Sequence, residues 1–260
     1  MSLFEGVQEL GLSVIEGITS AAAKITSAFS SPQMIRVTRF IVNIGPALRP
    51  LVAHLQAPGP ALAVLKTLVA DVIPAVARLL LESVPKAESA EELGRKVERA
   101  AESDIEPEDF NSTEEYMRHI RENIPDEAPD FFEALDEKER LKYAAVGSGV
   151  YARSLEEKYG VTLDPAFWNA VNQSEMRSVF SMDLLIQSLR ERGVTNGALL
   201  DDFFAGRLKD DPYEYECVQN SLKDAVIRQL GDIGADVLRK YIDACIETYR
   251  RNMSERGETK

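Results

Sequence analysis

The stretch from Ala61 to Leu81 limits what this chain can fold into more than any other. It contains eleven Leu, Ile or Val residues, five Ala and only three charged residues. Placed on a helix at about 100° per residue, its polar side chains form one narrow edge, from which Lys66 stands apart. A helix that is apolar on almost every other side is either buried in protein or spans a membrane. The residues of the polar edge are Thr67, Asp71, Arg78 and Glu82.

The charged residues favour burial against protein over a membrane span. On the insertion scale the eleven large aliphatic side chains contribute about −5 kcal/mol, whereas each central Lys, Asp or Arg costs about 2.5 to 3.5 kcal/mol. Lys66, Asp71 and Arg78 therefore outweigh the apolar gain. Pro74 also removes a backbone donor, which a buried helix tolerates when its partners fill the bend. We expect only the polar edge to reach water, and the Lys66 ammonium to reach a carboxylate or a gap between subunits.

A second apolar pattern occupies residues 2–30, where apolar side chains recur at spacings of three and four, as on one face of a helix. The opposite face carries Glu5, Glu9 and Glu16. Membrane-surface helices usually carry Lys and Arg there, so the pattern favours a partner helix over lipid. We call this set the apolar stripe, and its members are Leu3, Val7, Leu10, Val14, Ile18, Ala21, Ile25 and Phe29.

The acidic residues lie almost entirely after residue 85. Residues 1–85 contain six Lys or Arg and five Asp or Glu, whereas the rest contain 24 and 38, so the two parts carry +1 and −14 and give the total of −13. We predict an all-α protein in which an apolar helical region, 1–85, is packed with or linked to an acidic multi-helix domain, 111–253. Residues 86–110 are predicted to be an acidic linker with one surface helix, and 254–260 a polar tail.

Capping patterns locate the helices of the acidic part. A Ser or Asp before the first turn accepts from a backbone N–H two or three residues on, and a glycine often ends a helix. No segment shows convincing period-two alternation, and residues 160–163 form the best short extended piece. The predicted caps are Ser89 with Glu92, Ser112 with Glu115, Asp164 before Pro165, Asp211 before Pro212, and Gly160 at a helix end.

The composition argues against several classes of partner. A pI near 4.8 without a basic run disfavours nucleic acid and anionic lipid, both of which need clustered Lys and Arg. Cys217 and Cys245 are the only cysteines, so no disulfide framework or metal cluster is expected. The first residues carry an acid and lack a continuous apolar core, so no secretion signal is predicted. We expect a cytoplasmic protein, with attachment to a membrane or to a large assembly left open.

One acidic cluster superficially offers a metal site. Asp211, Pro212 and Glu214 are explained more simply as a cap, a first-turn proline and a capping-box acid. Asp201 and Asp202 are interpreted as the solvated side of an amphipathic turn. No metal site is therefore predicted.

The other candidate groups also have structural explanations. His54 lies in a segment broken by prolines, and His119 shares a helical face with Glu115 and Glu122 but lacks the further ligands of a di-metal site. Gly147-Ser148-Gly149 lacks the fingerprint of a phosphate loop, and its small residues are expected to let another helix approach closely. No catalytic residue, metal ligand or cofactor is predicted.

The sequence favours a non-enzymatic helical protein that self-associates or docks into a larger complex through residues 1–85. Its expected partner is another protein or a second copy of itself. The first alternative is a membrane-active protein that inserts residues within 1–81, and the second is a helical enzyme that uses Asp201, Asp202 and Asp211. The predicted interface residues are Leu3, Val7, Leu10, Val14, Ile18, Ile25, Phe29, Leu62, Leu65, Lys66, Val69, Val72, Ile73, Val76 and Leu80.

Overall fold

A computed structural model of the chain describes residues 66–128, 130–176, 180–231 and 234–255. Within these ranges the chain forms ten α-helices and no strand, which confirms the predicted all-α class. The α-helices are α1 (Ile73–Leu80), α2 (Ala90–Glu102), α3 (Thr113–Asn123), α4 (Phe131–Ala134), α5 (Glu137–Tyr159), α6 (Pro165–Gln173), α7 (Met182–Glu191), α8 (Ala198–Ala205), α9 (Pro212–Leu230) and α10 (Ala235–Glu255).

The helices begin and end where the local sequence predicts. Ser89 and Glu92 form a reciprocal capping box on α2, and Ser112 accepts from Glu115 N on α3. Asp164 caps α6 in the same way, with Pro165 in the first turn. Gly160 ends α5 with a φ of +67°, a left-handed conformation that glycine adopts without a Cβ penalty.

Helix α5 is the centre of the fold. Every residue from Tyr143 to Ala152 is buried, so this segment has neighbours on all sides. The buried side chains of the described helices form one hydrophobic cluster that extends from Leu68, near the first described residue, to Tyr249 in α10. The described part of region 1–85 thus packs into the same core as the acidic helices, and a domain boundary at residue 85 stays a prediction.

Helix α2 packs directly against α5 and is not the surface helix that its charged sequence predicts. Seven of its residues are buried. A Cβ at Gly94 would lie 2.0 Å from the Tyr143 carbonyl oxygen, and one at Gly147 would lie 2.0 Å from that of Ala90. The two backbones therefore meet at a pair of glycines. The close approach expected at Gly147 is confirmed, and the partner is α2.

A π-helical turn, Leu68–Val72, lies within the apolar stretch, immediately before α1 and two residues before Pro74. In this turn the Ile73 N–H donates to the Leu68 carbonyl. The next residue, Pro74, has no N–H to donate to the Val69 carbonyl. Ser148 of α5 supplies the missing donor, with its Oγ 2.5 Å from the Val69 oxygen in the buried core.

We expect Ser148→Ala to lower the free energy of unfolding by about 1 to 3 kcal/mol, because it leaves a buried carbonyl without a partner. Ser154 is a matched control on the same helix, since it is also buried and its hydroxyl has no hydrogen-bond partner among the described residues. Ser154→Ala should therefore change stability little. Urea unfolding of the two variants compares them, and equal losses would show that the Ser148 hydrogen bond contributes nothing.

The extended piece predicted at residues 160–163 forms an isolated parallel bridge between Thr162 and Asn196. Thr162 N donates to the Thr195 carbonyl, and Gly197 N donates to the Thr162 carbonyl, each at 2.8 Å. The bridge lies just before α8, which begins at Ala198.

None of the helices in the described part of the chain combines the length and hydropathy that crossing a membrane requires. The residues of the membrane-active alternative that precede Lys66 lie outside the described residues.

Candidate docking surface

The structure places part of the predicted interface inside the core of a single chain. Val69, Val72, Ile73 and Val76 are buried within the described chain, and Leu80 is half-buried. An interface role for these positions with another chain stays a prediction. The apolar stripe, Leu62 and Leu65 lie outside the described residues.

The residues of the apolar stretch that reach water are not only those of the predicted polar edge. Asp71 and Glu82 are exposed, as expected, whereas Thr67 and Arg78 are half-buried. Leu79 is 77% exposed, against the expectation that the large aliphatic residues are covered. It lies in the last turn of α1, next to Arg78. The fold thus presents an apolar side chain to water at the end of α1.

Lys66 reaches a carboxylate, as predicted. Its Nζ forms an ion pair with Glu137 at the start of α5, and both side chains are more than half exposed. This pair keeps the pKa of the Glu137 carboxyl below its usual value. Because exposed ion pairs contribute only about 0 to 1 kcal/mol, this contact can rearrange at little cost.

A groove with a volume of about 580 Å³ lies beside this ion pair, and we call it the Lys66 groove. One wall is formed by the chain from Lys66 to Asp71, and the other by Leu135 and the first two turns of α5. A second surface ion pair, between Arg140 of α5 and Glu91 of α2, lies on its rim. The apolar residues that line the groove are Ala70, Leu135, Leu141 and Ala144.

A smaller cavity of about 80 Å³ lies between α2 and residues 125–128. Three cations of α2 line it, but they have partners within the chain. Arg95 Nε donates to Glu127 at 2.8 Å, and Lys96 Nζ lies 2.6 Å from Asp126. Paired cations of this kind brace the 125–128 segment and do not indicate an anion site.

Sequence reasoning missed a buried ion-pair cluster under the α1–α2 connection. Arg121 of α3 donates from Nη2 to Glu88 at 2.5 Å, and from Nη1 to the Ser83 carbonyl at 2.7 Å. Tyr151 of α5 donates to the same Glu88 carboxylate at 2.9 Å. Arg121 and Tyr151 lie 33 and 63 positions from Glu88, so no local pattern could have joined them.

Asp201 is not on a solvated side of a turn, as the sequence suggested, but is only 7% exposed. Its carboxylate accepts from Tyr249 OH at 2.9 Å, from Asn169 Nδ2 at 3.2 Å and from Arg207 Nη2 at 2.5 Å. Arg207 also donates to Asp202 at 2.6 Å. The cluster therefore joins α6, α8 and α10, and its carboxylates are already engaged by donors of the chain.

Asp211 and the histidine face also have structural partners. Asp211 accepts from Glu214 N at 3.0 Å as the cap of α9, and Pro212 lies in the first turn, which confirms these two parts of the interpretation. The His119 and Phe110 rings pack at a tilt of 49° with centroids 4.9 Å apart, and Glu115 accepts from Asn111. Across the described ranges, no group of three or more His, Cys, Asp or Glu side chains is arranged to hold a metal ion.

Burial, together with the nearby Asp201 and Asp202 charges, raises the pKa of the Asp164 carboxyl, although two backbone N–H groups oppose the rise. A raised pKa in the folded state means that the charged form destabilises the fold at neutral pH. Asn caps a helix as well as Asp does. We therefore expect Asp164→Asn to be more stable than the wild type at pH 7, by about 1 kcal/mol or less.

This advantage should shrink as the pH falls to about 4, where the wild-type carboxyl also becomes neutral. Urea unfolding at both pH values measures it. Asp211→Asn is the matched control, because Asp211 caps α9 by the same bond but is exposed. An equal gain at Asp211, or a gain at Asp164 that does not depend on pH, contradicts the explanation.

Comparisons of the chain with protein-family models, with curated proteins and with solved structures found no match.

Proposed function

We propose that this chain is a non-enzymatic helical interaction protein that self-associates, or docks into a larger complex, through its apolar N-terminal third. The main support is that residues from Leu68 onward are already packed into the core of the described chain. Val69, Val72 and Ile73 have no exposed surface in the described chain. The apolar stripe therefore needs another surface, and each fully buried Leu, Ile or Val contributes about 1.5 to 3 kcal/mol.

The polar clusters of the described chain support a structural role. The carboxylates around Asp201 and the Glu88–Arg121 pair bond to donors of their own chain. Catalytic sites usually hold groups that are oriented toward a substrate position and activated by a neighbouring base. The described clusters instead join helices to one another.

Size-exclusion chromatography with light scattering tests the proposal on the full chain. We expect the wild type to have a mass of at least two 28.9 kDa chains, and Val14→Asp/Ile18→Asp to shift it to one, because each carboxylate must be desolvated in the contact. Ser20→Asp/Ser27→Asp adds the same charge on the polar side of the predicted helix and should keep the wild-type mass. A monomeric wild type contradicts self-association.

A further inference from the structure

The Lys66 groove opens where the described chain begins. Lys66 is both the first described residue and part of the groove wall. Sixty-five residues of the same chain precede it. The apolar stripe is the longest amphipathic pattern among them, and helices with one apolar face commonly bind in grooves with an apolar floor and a polar rim.

We propose that the Lys66 groove is the docking site for the apolar stripe, Leu3–Phe29, of the same chain. The inference rests on the proposed function in one respect, namely that the stripe is a contact surface. The lining supplies apolar side chains from both walls, including Ala70 and Leu141. The exposed ion pair between Lys66 and Glu137 can rearrange at little cost to admit a helix.

The covalent connection favours the stripe of the same chain over that of a second copy. Residues 30–65 connect the stripe to the groove. A random coil of 36 residues would span about 30 to 36 Å on average, and a tether of that reach gives an effective concentration in the millimolar range. A free second copy at micromolar concentration therefore competes at a disadvantage of about a thousandfold.

The groove covers only part of the stripe, which leaves room for self-association. At 1.5 Å per residue, the wall from Lys66 to Asp71 is about 9 Å long, whereas a helix over Leu3–Phe29 is about 40 Å long. Docking in the groove thus anchors roughly a quarter of the stripe. The remaining apolar length is available to pair with the stripe of a second copy.

The reactivity of a cysteine in the groove tests this docking in the full chain. Ala70 lines the groove and is exposed in the described chain, so Ala70→Cys should not disturb the core. We expect its thiol to react with a maleimide at least about tenfold more slowly than an open site, since reaction requires the stripe to detach. Adding Ile25→Asp/Phe29→Asp, at the end of the stripe nearest residues 30–65, should remove this protection. Val14→Asp/Ile18→Asp, in the length left for self-association, should keep it. Mass spectrometry of peptides separates this site from Cys217 and Cys245.

Leu79→Cys is the matched control, because Leu79 is 77% exposed and lies about two turns further along. Its reactivity should not change with either stripe variant. Protection of Ala70→Cys should also be independent of protein concentration. Protection that disappears on dilution would mean that a second copy occupies the groove. An Ala70→Cys thiol that reacts as fast as Leu79→Cys would mean that the groove is open. Protection that survives Ile25→Asp/Phe29→Asp would mean that the stripe does not occupy the groove. Each of these results overturns the inference, whereas the proposed function is decided separately by the mass.

Discussion

Replacing Gly94 with alanine is expected to lower the free energy of unfolding by at least about 3 kcal/mol, or to prevent folding. Helix propensity alone predicts the opposite, a gain of about 1 kcal/mol. The reason for the loss is steric, because the new Cβ would lie 2.0 Å from the Tyr143 carbonyl oxygen and 3.1 Å from the Gly147 nitrogen. Both contacts involve backbone atoms of α5, which cannot turn aside as a flexible side chain does. Thermal and urea unfolding measure the effect.

Gly231→Ala is the control for the close contact of α2 and α5 at Gly94 and Gly147. Gly231 has a φ of +77° and a ψ of −165°, and apart from its chain neighbours no atom of the described residues lies within 4 Å of the point that a Cβ would occupy, so its replacement tests backbone strain without a clash. We expect a loss of about 1 to 3 kcal/mol there. If Gly94→Ala is as stable as the wild type, the close packing of α2 on α5 is wrong.

Replacing Arg121 with methionine should cost about 3 to 5 kcal/mol, because it leaves the Glu88 carboxylate buried without its cation. The side chains of Arg121 and Glu88 are only 13% and 9% exposed. Methionine keeps much of the apolar stem of arginine, so the loss reports mainly on charge and hydrogen bonds. Unfolding in urea at neutral pH measures it.

The exposed pair between Arg228 and Glu191 provides the comparison, since those side chains are 38% and 52% exposed. Arg228→Met should change stability far less than Arg121→Met, because an exposed ion pair contributes little. Adding Glu88→Gln to Arg121→Met should recover part of the loss, because it removes the unpaired charge. Equal effects at Arg121 and Arg228 would show that burial of the Glu88 pair has no energetic weight.

Local features of the fold were predictable from sequence because their partners lie within one helical turn. Ser89 with Glu92 and Asp211 with Glu214 are bonded over three residues, and each begins its helix as predicted. The Lys66 ammonium was expected to reach a carboxylate or a gap between subunits. Its actual partner, Glu137, lies 71 positions away and could not be named from sequence.

The errors concern residues whose neighbours are distant in sequence. Helix α2 has a charged sequence but is buried against α5, because Gly94 admits a backbone that no local pattern reveals. Asp201 lies next to Asp202 in an amphipathic turn, yet Tyr249 and Arg207 bury it by bonding to its carboxylate. A charge whose hydrogen bonds are supplied by other helices can be interior, and hydropathy alone assigns it to the surface.

Only part of the candidate docking surface could be predicted from the sequence. The sequence assigned Val69 and Val76 to an interface, and within the described chain both are buried in the core, so their contact with another chain stays a prediction. Neither the groove nor the exposure of Leu79 follows from periodicity. Both depend on where α5 begins relative to the apolar stretch.

The mass of the full chain in solution tests the central claim most directly. Sedimentation equilibrium across the micromolar range should give at least twice 28.9 kDa for the wild type, and a single-chain mass when Val14 and Ile18 are both replaced by aspartate. A wild-type chain that remains at 28.9 kDa at every concentration, with no change on those replacements, contradicts self-association through the apolar stripe.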